Sequence, residues 1–331
     1  MRAVVLDEYG PLENLKIGTF ADPVAGPEDV VIDVRATAAN YVDLVMISGK
    51  YQFRPETPFV PGKGPAGIVR SVGEKVTDFA PGDRVLAMAE QGGYAERALV
   101  HRTNCYKIPA SMSFVDAASM ALVFDTAWFA LRERGRFQPG ETVLVLGASG
   151  GVGLAAIQLV KALGGAALGG IANLEKAGMV TEAGADAIID LSRDDLRDSL
   201  RDQVFAVTGG RGADVVIDPL GDDIFDAALR AVAWCGRMVV VGFAAGRIPT
   251  IKANYLLVKN IDVGGLQISD YRRRRPDLTA TCFAEIFALY EAGKIRPLPT
   301  TVLPMERCID ALQSIGDRTA RGRVVLTQDG G

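Results

Sequence analysis

Residues 147–153 read GASGGVG, between an apolar run at residues 142–146 and a helix-like segment at residues 154–163. A strand that turns sharply into a helix brings several backbone N–H groups and the positive end of the helix dipole to one point. Such a point suits a phosphate group. The stretch therefore predicts a phosphate-binding turn at the start of a helix.

The spacing of the glycines in this stretch suits a pyrophosphate. Gly147 permits the tight turn. Gly150 and Gly151 leave room for phosphate oxygens against bare backbone, and Gly153 lets the helix pack close to the strand. The motif predicts a dinucleotide site, provided that a strand precedes it and a helix follows.

From residue 142 onward, short apolar segments alternate with helix-like segments. Six strands are predicted, with the sequences TVLVL, AALGGI, AIID, ADVVID, RMVVVG and IDVGGL. Parallel strands need crossover connections and bury both faces, so this alternation indicates a doubly wound parallel sheet. The glycine turn follows the first strand, which is where this fold binds a pyrophosphate.

Residues 1–119 consist of short strands between turns, such as RAVVL, VVIDVRA, GIVRSVG and RVLAMA. Ile32, Val34 and Ala36 alternate with polar residues, as in a half-buried strand. This part of the chain is predicted to be a compact β domain. Within it, Asn40 followed three residues later by Asp43 indicates the start of a short helix.

Composition narrows the class of partner. The chain has 331 residues, enough for two domains, and a net charge of −4 from 36 basic and 40 acidic residues. This charge gives no attraction to nucleic acid or to an anionic membrane. No apolar run approaches the roughly 18–20 residues of a spanning helix, and the first residues do not resemble a targeting peptide. We expect a cytoplasmic protein with a small-molecule partner.

The cysteines and the histidine indicate neither a disulfide framework nor a zinc site. The four cysteines have no C-x-x-C spacing and are expected to be buried thiols: Cys105, Cys235, Cys282 and Cys308. The single histidine, His101, is expected at the end of a strand, since one histidine does not make a two-histidine zinc site.

Several segments together resemble the zinc-independent NADPH:quinone oxidoreductases (zeta-crystallin-like) of the medium-chain dehydrogenase/reductase superfamily. They are NYVDLVMISGKY, PFVPGKGPAGIVRSVG, FAPGDRV, GGYAE, GASGGVGLAAIQL, GADVVIDPLG and GRMVVVG. The resemblance implies a GroES-like, mainly β catalytic domain at residues 1–122, completed by residues 270–331. It also implies a Rossmann NADPH-binding domain at residues 123–269, a cleft between the two domains, and a homodimer joined through the edges of the Rossmann sheets.

The resemblance also predicts that no metal is bound. Zinc-dependent relatives carry a cysteine near the start of the Asn40 helix, and a G-H-E triplet where this chain has Gly62, Lys63 and Gly64. Related quinone reductases usually retain the acid of that triplet, so Gly64 departs from their pattern too. Val45 is another departure, where several relatives carry a tyrosine in the nicotinamide pocket.

NADPH is the expected cofactor. NAD-specific sites place an acid about 20 residues after the glycine turn, whereas this chain has Asn173 there and the nearest positive charge is Lys176. The resemblance places Lys176 and Arg318 around the 2′-phosphate, although the tyrosine that some relatives add falls on Leu191. Alternatively, Lys176 is a solvated helix lysine. The cofactor contacts implied by the resemblance are Thr126, Ser149, Gly150, Gly151, Val152, Asn173, Lys176, Gly242, Phe243, Leu266 and Arg318.

Without a metal to polarise an alcohol, the easier reaction is hydride donation to a quinone or a conjugated enone. Such an acceptor delocalises the negative charge onto oxygen and needs only positioning and a hydrogen-bond donor. By resemblance the catalytic candidates are Asn40, Asp43 and Tyr51, with Tyr51 similar to the proton donor of enoyl-thioester reductases. Alternatively, Asp43 belongs to a helix cap and Tyr51 is a packed phenol.

Two other functions remain open. Arg272 to Arg275 form a basic run that would suit the phosphates of a coenzyme A thioester, as an enoyl-thioester reductase requires, or else a solvated turn. Relatives of this fold also serve as lens crystallins or RNA-binding proteins, so a non-catalytic NADPH-binding role is the alternative of another class. The acidic net charge argues against RNA.

Overall fold

A computed structural model describes residues 1–328 of the chain. Its strands are β1 (Arg2–Leu6), β2 (Leu15–Thr19), β3 (Asp29–Ala39), β4 (Ala66–Val72), β5 (Arg84–Ala87), β6 (Arg97–His101), β7 (Cys105–Lys107), β8 (Thr142–Leu146), β9 (Ala166–Ile171), β10 (Ala187–Asp190), β11 (Ala213–Asp218), β12 (Val232–Val240), β13 (Asp262–Gly265), β14 (Thr300–Pro304) and β15 (Arg323–Thr327). Its helices are α1 (Tyr41–Ile47), α2 (Phe114–Met120), α3 (Val123–Trp128), α4 (Gly151–Ala162), α5 (Ala177–Glu182), α6 (Leu196–Thr208), α7 (Asp222–Ala231), α8 (Ala253–Lys259), α9 (Ile268–Arg274), α10 (Pro276–Glu291) and α11 (Cys308–Gly316).

These elements form two compact units. Unit 1 contains Met1–Leu122, Arg272–Phe287 and Pro297–Gly331, and unit 2 contains Val123–Tyr271 and Ala288–Arg296. The chain therefore leaves unit 1 after Leu122, builds most of unit 2, and returns to unit 1 at Arg272. It adds residues 288–296 to unit 2 before it continues in unit 1.

Unit 2 is built on a six-stranded sheet in the order β10-β9-β8-β11-β12-β13, with every neighbouring pair parallel. Helices connect the strands in the predicted alternation, because parallel neighbours need crossovers and bury both faces of the sheet. The strand order reverses between β8 and β11, which is the point where doubly wound sheets bind ligands. The prediction of a doubly wound parallel sheet is confirmed.

Unit 1 contains a seven-stranded sheet whose main path is β14-β15-β3-β4-β5-β7, with β6 also paired to β3. The tail, which the periodicity of the sequence did not place, supplies β14 and β15. β15 pairs antiparallel with β3, with Val325 opposite Ala38. Helix α11 adds Ala311 and Leu312 to the apolar core beneath these strands. The strands β14 and β15 and helix α11 are therefore an integral part of unit 1.

The helix predicted near Asn40 forms as α1, and His101 is the last residue of β6, as expected. One of the four cysteines corrects the sequence interpretation. Cys105, Cys282 and Cys308 are buried, but Cys235 is exposed. β12 loses its register with β11 between Val232 and Arg237, and Cys235 has a φ of 59° there. This bulge turns the thiol out of the core.

Within residues 1–328, no single helix is long and apolar enough to cross a membrane. One bent pair, Phe114–Met120 followed by Val123–Arg134, reaches that length and composition only when its two helices are counted together.

Candidate functional site

The glycine turn of unit 2 has the form that its sequence predicts. It follows β8, and Gly147 adopts a φ of 61°, in the left-handed region that favours glycine. Gly153 cannot be replaced by a larger residue without a shift, because a Cβ there would lie 2.5 Å from the Gly147 carbonyl oxygen. Helix α4 begins at Gly151, and no side chain among the described residues caps it. Its first backbone N–H groups thus remain available for a ligand.

The predicted cofactor residues that follow strands of unit 2 lie after the carboxyl ends of two neighbouring pairs, β9 with β8 and β12 with β13, which flank β11. Ser149 to Val152 follow β8, Asn173 follows β9, Gly242 and Phe243 follow β12, and Leu266 follows β13. Parallel strands end at one edge of their sheet, so the fold brings these residues to that edge. Thr126 lies apart from this series, buried in α3.

The segment after β9 carries the candidates for the 2′-phosphate. The strand ends at Ile171, and the Asn173 side chain accepts a hydrogen bond from the backbone N–H of Glu175 at 3.0 Å. This bond caps the short turn Leu174–Lys176, in which Lys176 is half-buried. Leu191, at the tyrosine position of some relatives, is buried in the core of the sheet. Arg318, the other predicted cation, lies in unit 1 in the turn after α11 and is exposed.

In unit 1, Asn40 and Asp43 are brought together at the start of α1. A carboxylate oxygen of Asp43, Oδ2, accepts a hydrogen bond from the Asn40 backbone N–H at 2.9 Å. The amide group of Asn40 donates to the Ala38 carbonyl at 2.9 Å. Asn40 and Asp43 thus form a capping box at the start of α1, and the side-chain oxygen of Asn40, Oδ1, also accepts a hydrogen bond from a residue distant in sequence.

That residue is Arg323, the first residue of β15. Its Nη2 donates to Oδ1 of Asn40 at 2.7 Å, and its Nε donates to the Ser119 carbonyl at 3.0 Å. The guanidinium is buried, and burial lowers its pKa to about 10, so it stays charged at neutral pH. A charged donor thus holds the orientation of the Asn40 amide.

Tyr94 completes the environment of Asp43. Its hydroxyl donates to Oδ2 of Asp43 at 2.7 Å, and both side chains are fully enclosed. The close packing requires Gly62, where a Cβ would lie 2.5 Å from Cδ1 of Tyr94. Burial raises the pKa of Asp43 and raises the pKa of Tyr94 well above its ordinary value. The second carboxylate oxygen of Asp43, Oδ1, is buried and has no hydrogen-bond partner among the described residues.

Lys63 lies beside Tyr51 in the same unit. Its ammonium forms an ion pair with Glu90 and lies 4.7 Å from the centre of the Tyr51 ring. The side chain is only 1% exposed. The charge of Lys63 acts against the effect of burial on the pKa of Asp43. The structure thus joins Asn40 and Asp43 directly, and it places the Tyr51 ring beside Lys63, whose charge acts on Asp43.

The basic run at Arg272 to Arg275 corrects one of the sequence interpretations. Arg272 is not a solvated residue: it is 3% exposed, and its Nη1 donates to Oε1 of Glu90 at 2.9 Å. Arg275 forms an ion pair with Asp277. Arg272 to Arg274 belong to helix α9 rather than to a turn. Arg272 and Arg275 are thus engaged within the protein.

Sequence reasoning singled out Asn40, Asp43 and Tyr51 but did not name Tyr94 or Arg323 as site residues. Tyr94 lies in the GGYAE segment that contributed to the family resemblance. This segment was the one feature of the sequence that could have indicated Tyr94 as a site residue. Arg323 begins a strand that pairs with β3 from the far end of the chain, and no local pattern indicates such a partner. No group of three or more His, Cys, Asp or Glu residues suited to a metal ion occurs within residues 1–328.

Unit 2 has a parallel sheet of the dinucleotide-binding type with a glycine turn, and unit 1 is mainly β and buries a polar cluster. One chain with both features is typical of a nicotinamide-dependent dehydrogenase or reductase. Comparison with known proteins agrees. Residues 26–110 match the alcohol dehydrogenase GroES-like domain, and residues 151–283 match the domain family described as zinc-binding dehydrogenase.

The chain is 37% identical over 328 residues to a quinone oxidoreductase-like protein 2 homolog of Nematostella vectensis, covering 98% of this chain and 88% of that protein. It is similar to the Escherichia coli quinone oxidoreductase solved with NADPH, at 26% identity and a TM-score of 0.89, covering 99% of this chain and 100% of that one. A mycobacterial protein solved with NADPH gives 28% identity, a TM-score of 0.90 and the same coverage.

The chain therefore belongs to the quinone oxidoreductase family of the medium-chain dehydrogenase/reductase superfamily. The predicted fold class, a GroES-like domain with a Rossmann domain, is confirmed, and so is NADPH as the cofactor. The protein is an NADPH-dependent reductase of the quinone oxidoreductase type.

Proposed function

We propose that the protein transfers hydride from NADPH to a quinone or a conjugated enone without the help of zinc. The observation that carries this proposal is the Lys63–Glu90 ion pair at the position where zinc-dependent relatives hold the metal. A buried ammonium group repels a metal cation, and Tyr41, Val42 and Gly64 at the neighbouring ligand positions offer no side chain that zinc prefers.

Because these side chains do not suit a zinc ion, the proposed reaction is one that proceeds without a Lewis acid. Bound NADPH would supply a hydride, which carries two electrons, and would leave as NADP⁺. A quinone or an enone accepts the hydride, spreads the resulting negative charge onto oxygen, and then needs one proton to become a neutral product. Fixed hydrogen-bond donors and positive charges stabilise such an anion.

For the site residues we propose three roles. Asn40, held by Arg323, presents a fixed amide beside the reacting groups. Asp43 holds the start of α1 and Tyr94 in place. Tyr51 supplies the proton when the product anion must be protonated at carbon. In unit 2, the glycine turn would hold the pyrophosphate of NADPH, and Lys176 would contact its 2′-phosphate together with Arg318.

The second candidate is an enoyl-thioester reductase. The observation that favours it is the Tyr51 phenol beside the Lys63 ammonium, because an enolate needs a proton donor that a hydroquinone anion does not. The basic run now lends it less support, since Arg272 is engaged with Glu90 and Arg275 with Asp277.

One acceptor panel tests these proposals. The protein would be assayed with NADPH against 1,4-quinones, short enones and enoyl thioesters. We expect turnover of quinones and enones, and higher kcat/KM for thioesters than for free enones would favour the second candidate. Failure to oxidise NADPH with any acceptor would contradict both. A gel shift with RNA at low and high salt tests the non-catalytic alternative, and we expect no complex.

We further propose that the protein is a homodimer joined through unit 2. β13 ends the sheet and pairs only with β12 among the described strands. Exposed apolar side chains indicate an interface. In this unit they include Trp234, Ile248, Leu257 and Val258. We expect light scattering to give twice the mass of one chain, and Leu257→Lys to give monomers. A monomeric wild type would contradict the proposal.

Zinc independence has its own test. We expect elemental analysis of purified protein to show no stoichiometric zinc, and we expect quinone turnover to survive chelation. Tightly held zinc at one ion per chain, lost together with activity, would contradict this proposal.

A further inference from the structure

A buried lysine is unusual, because the charged group loses its water and must find a partner inside the protein. Lys63 is one of the largest fully enclosed side chains of the chain. An apolar residue would fill the same volume without this cost. The charge at this position therefore calls for a functional explanation.

The backbone around Lys63 is tightly constrained. Gly62 and Gly64, on either side, have φ angles of 96° and 67°, in the region that favours glycine. A Cβ at Gly64 would also lie 3.1 Å from the Cβ of Ala121. The acid that relatives usually carry at this position would thus be strained here, and the loop sets the place of the Lys63 side chain.

The ammonium is held between an anion and an aromatic ring. Glu90 pairs with it on one side and is itself held by Arg272. The Tyr51 ring lies within the distance at which a cation is attracted to a ring face, with 4.7 Å from Nζ to the ring centre. The contact fixes both the position of the ring and the place of a positive charge next to the phenol.

The charge of Lys63 also acts on the rest of the site. Its ammonium opposes the effect of burial on the pKa of the Asp43 carboxyl. Because the Lys63 side chain is enclosed, little water screens its charge. A fixed positive charge in such a place stabilises an anion that forms beside it.

We propose that Lys63 is a positioning residue of the reduction, and that its ammonium holds the Tyr51 ring and stabilises the phenolate left by proton donation. This inference rests on the proposed function. In the step concerned, hydride from NADPH forms a C–H bond on an enone and leaves an enolate and NADP⁺. The Tyr51 O–H bond then breaks, and its proton forms a second C–H bond at the enolate carbon. The phenolate afterwards takes a proton from water, which restores Tyr51.

The test is a double-mutant cycle of Lys63→Met with Tyr51→Phe. Lys107→Met is the matched control, because Lys107 also lies in unit 1, pairs with a carboxylate, Asp83, at 2.9 Å, and has its ammonium 5.7 Å from the centre of an aromatic ring, Phe79. Enone turnover, quinone turnover and the NADPH Kd would be measured for each variant. Lys63→Gln, which keeps a hydrogen-bond donor toward Glu90, replaces Lys63→Met if the latter does not fold.

We expect Lys63→Met to lower enone kcat by about 10–100-fold, a part of what a positioned general acid contributes. The same change in the Tyr51→Phe background should lower it by less than about threefold, because the group through which Lys63 acts is already gone. The NADPH Kd of each variant, and every rate of the Lys107→Met control, should stay within a few-fold of wild type.

Four results would overturn the inference. Equal losses in both backgrounds would show that Lys63 does not act through Tyr51, and a parallel loss of NADPH affinity would show a structural role only. A wild type that reduces quinones but no enone would overturn this inference and leave the proposed quinone reduction standing. A wild type that reduces neither would overturn both.

Discussion

Nη2 of Arg323 donates a hydrogen bond to Oδ1 of Asn40 at 2.7 Å, although 283 residues separate the two in sequence. Both side chains are buried, and the same guanidinium also holds the Ser119 carbonyl. The bond therefore ties the last strand of the sheet to the start of α1, where the catalytic candidates lie.

Replacing Arg323 should destabilise the protein. Arg323→Met leaves the oxygens of Asn40 and Ser119 buried without a donor, so we expect the free energy of unfolding to fall by about 2–4 kcal/mol. Urea denaturation would measure it. Arg70→Met is the control, because the exposed ion pair of Arg70 with Asp33 contributes less than about 1 kcal/mol. Equal effects of the two substitutions would contradict the prediction.

Lys176 should discriminate between the two nicotinamide cofactors. Lys176→Glu removes an attraction to the 2′-phosphate of NADPH and adds a repulsion, so we expect NADPH binding to weaken by about 10–100-fold. NADH, which lacks this phosphate, should lose less than about threefold. Fluorescence titration would measure both, with Lys294→Glu as a control of equal charge change in unit 2. An equal effect on both cofactors would remove Lys176 from the phosphate site.

Tyr51→Phe should divide the two enzymatic proposals. The hydroquinone anion formed from a quinone takes its proton from water, so 1,4-quinone turnover should stay within a few-fold of wild type. Enolate protonation at carbon is more demanding, and we expect enone turnover to fall by about 10²–10⁴-fold. Tyr41→Phe, at an exposed position on α1, is the control.

The NADPH Kd must be measured for the same variants, because a displaced nicotinamide would lower every rate equally. If both activities fell together while cofactor affinity remained intact, Tyr51 would position acceptors in general, and the proton-donor role would be wrong.

Asp43 should make the stability of the protein depend on pH in an unusual direction. Burial raises the pKa of this carboxyl in the folded state, so the folded protein holds the proton more tightly than the unfolded chain does. Protonated Asp43 therefore stabilises the folded state fully below the pKa of about 4 that it has in the unfolded chain. This stabilisation is lost as the pH rises through the pKa that Asp43 has in the folded state.

We therefore expect wild type to lose stability relative to Asp43→Asn as the pH is raised from about 4, until Asp43 is ionised in the folded state. Urea titrations at several pH values would measure the difference. A difference that grows in favour of wild type with rising pH would show that the hydrogen bonds from Tyr94 and Asn40 outweigh burial.

The parts of the molecule that sequence reasoning predicted are those with a local signal. The doubly wound sheet follows from alternating apolar and amphipathic segments, and its cofactor turn follows from the spacing of Gly147 to Gly153. Asn40 and Asp43, three residues apart, predicted the start of α1 for the same reason: a cap depends on neighbours in the chain.

What the sequence did not reveal depends on distant partners. Arg323 reaches Asn40 only because β15 pairs with β3. The sequence of a strand does not indicate which distant strand it will pair with. The sequence indicates that Lys63 replaces a zinc ligand of the relatives. It does not reveal the ion pair of Lys63 with Glu90, because that pair forms only when the two loops have folded. The exposure of Cys235 follows from a bulge in β12 that alternation alone does not indicate.

The return of the tail to unit 1 has a consequence for biosynthesis. All six strands of the unit 2 sheet are contained in residues 142–265, so this sheet has its full set of strands while the ribosome is still adding residues. The sheet of unit 1 lacks β15 until residues 323–327 emerge. The part of β3 that pairs with β15, Ala36 to Ala39, must wait without that partner for nearly 300 residues, whereas β6 pairs with the first part of β3 early. The nucleotide-binding part therefore has the opportunity to fold first during translation, and the waiting edge of β3 is the place where a chaperone would be most useful.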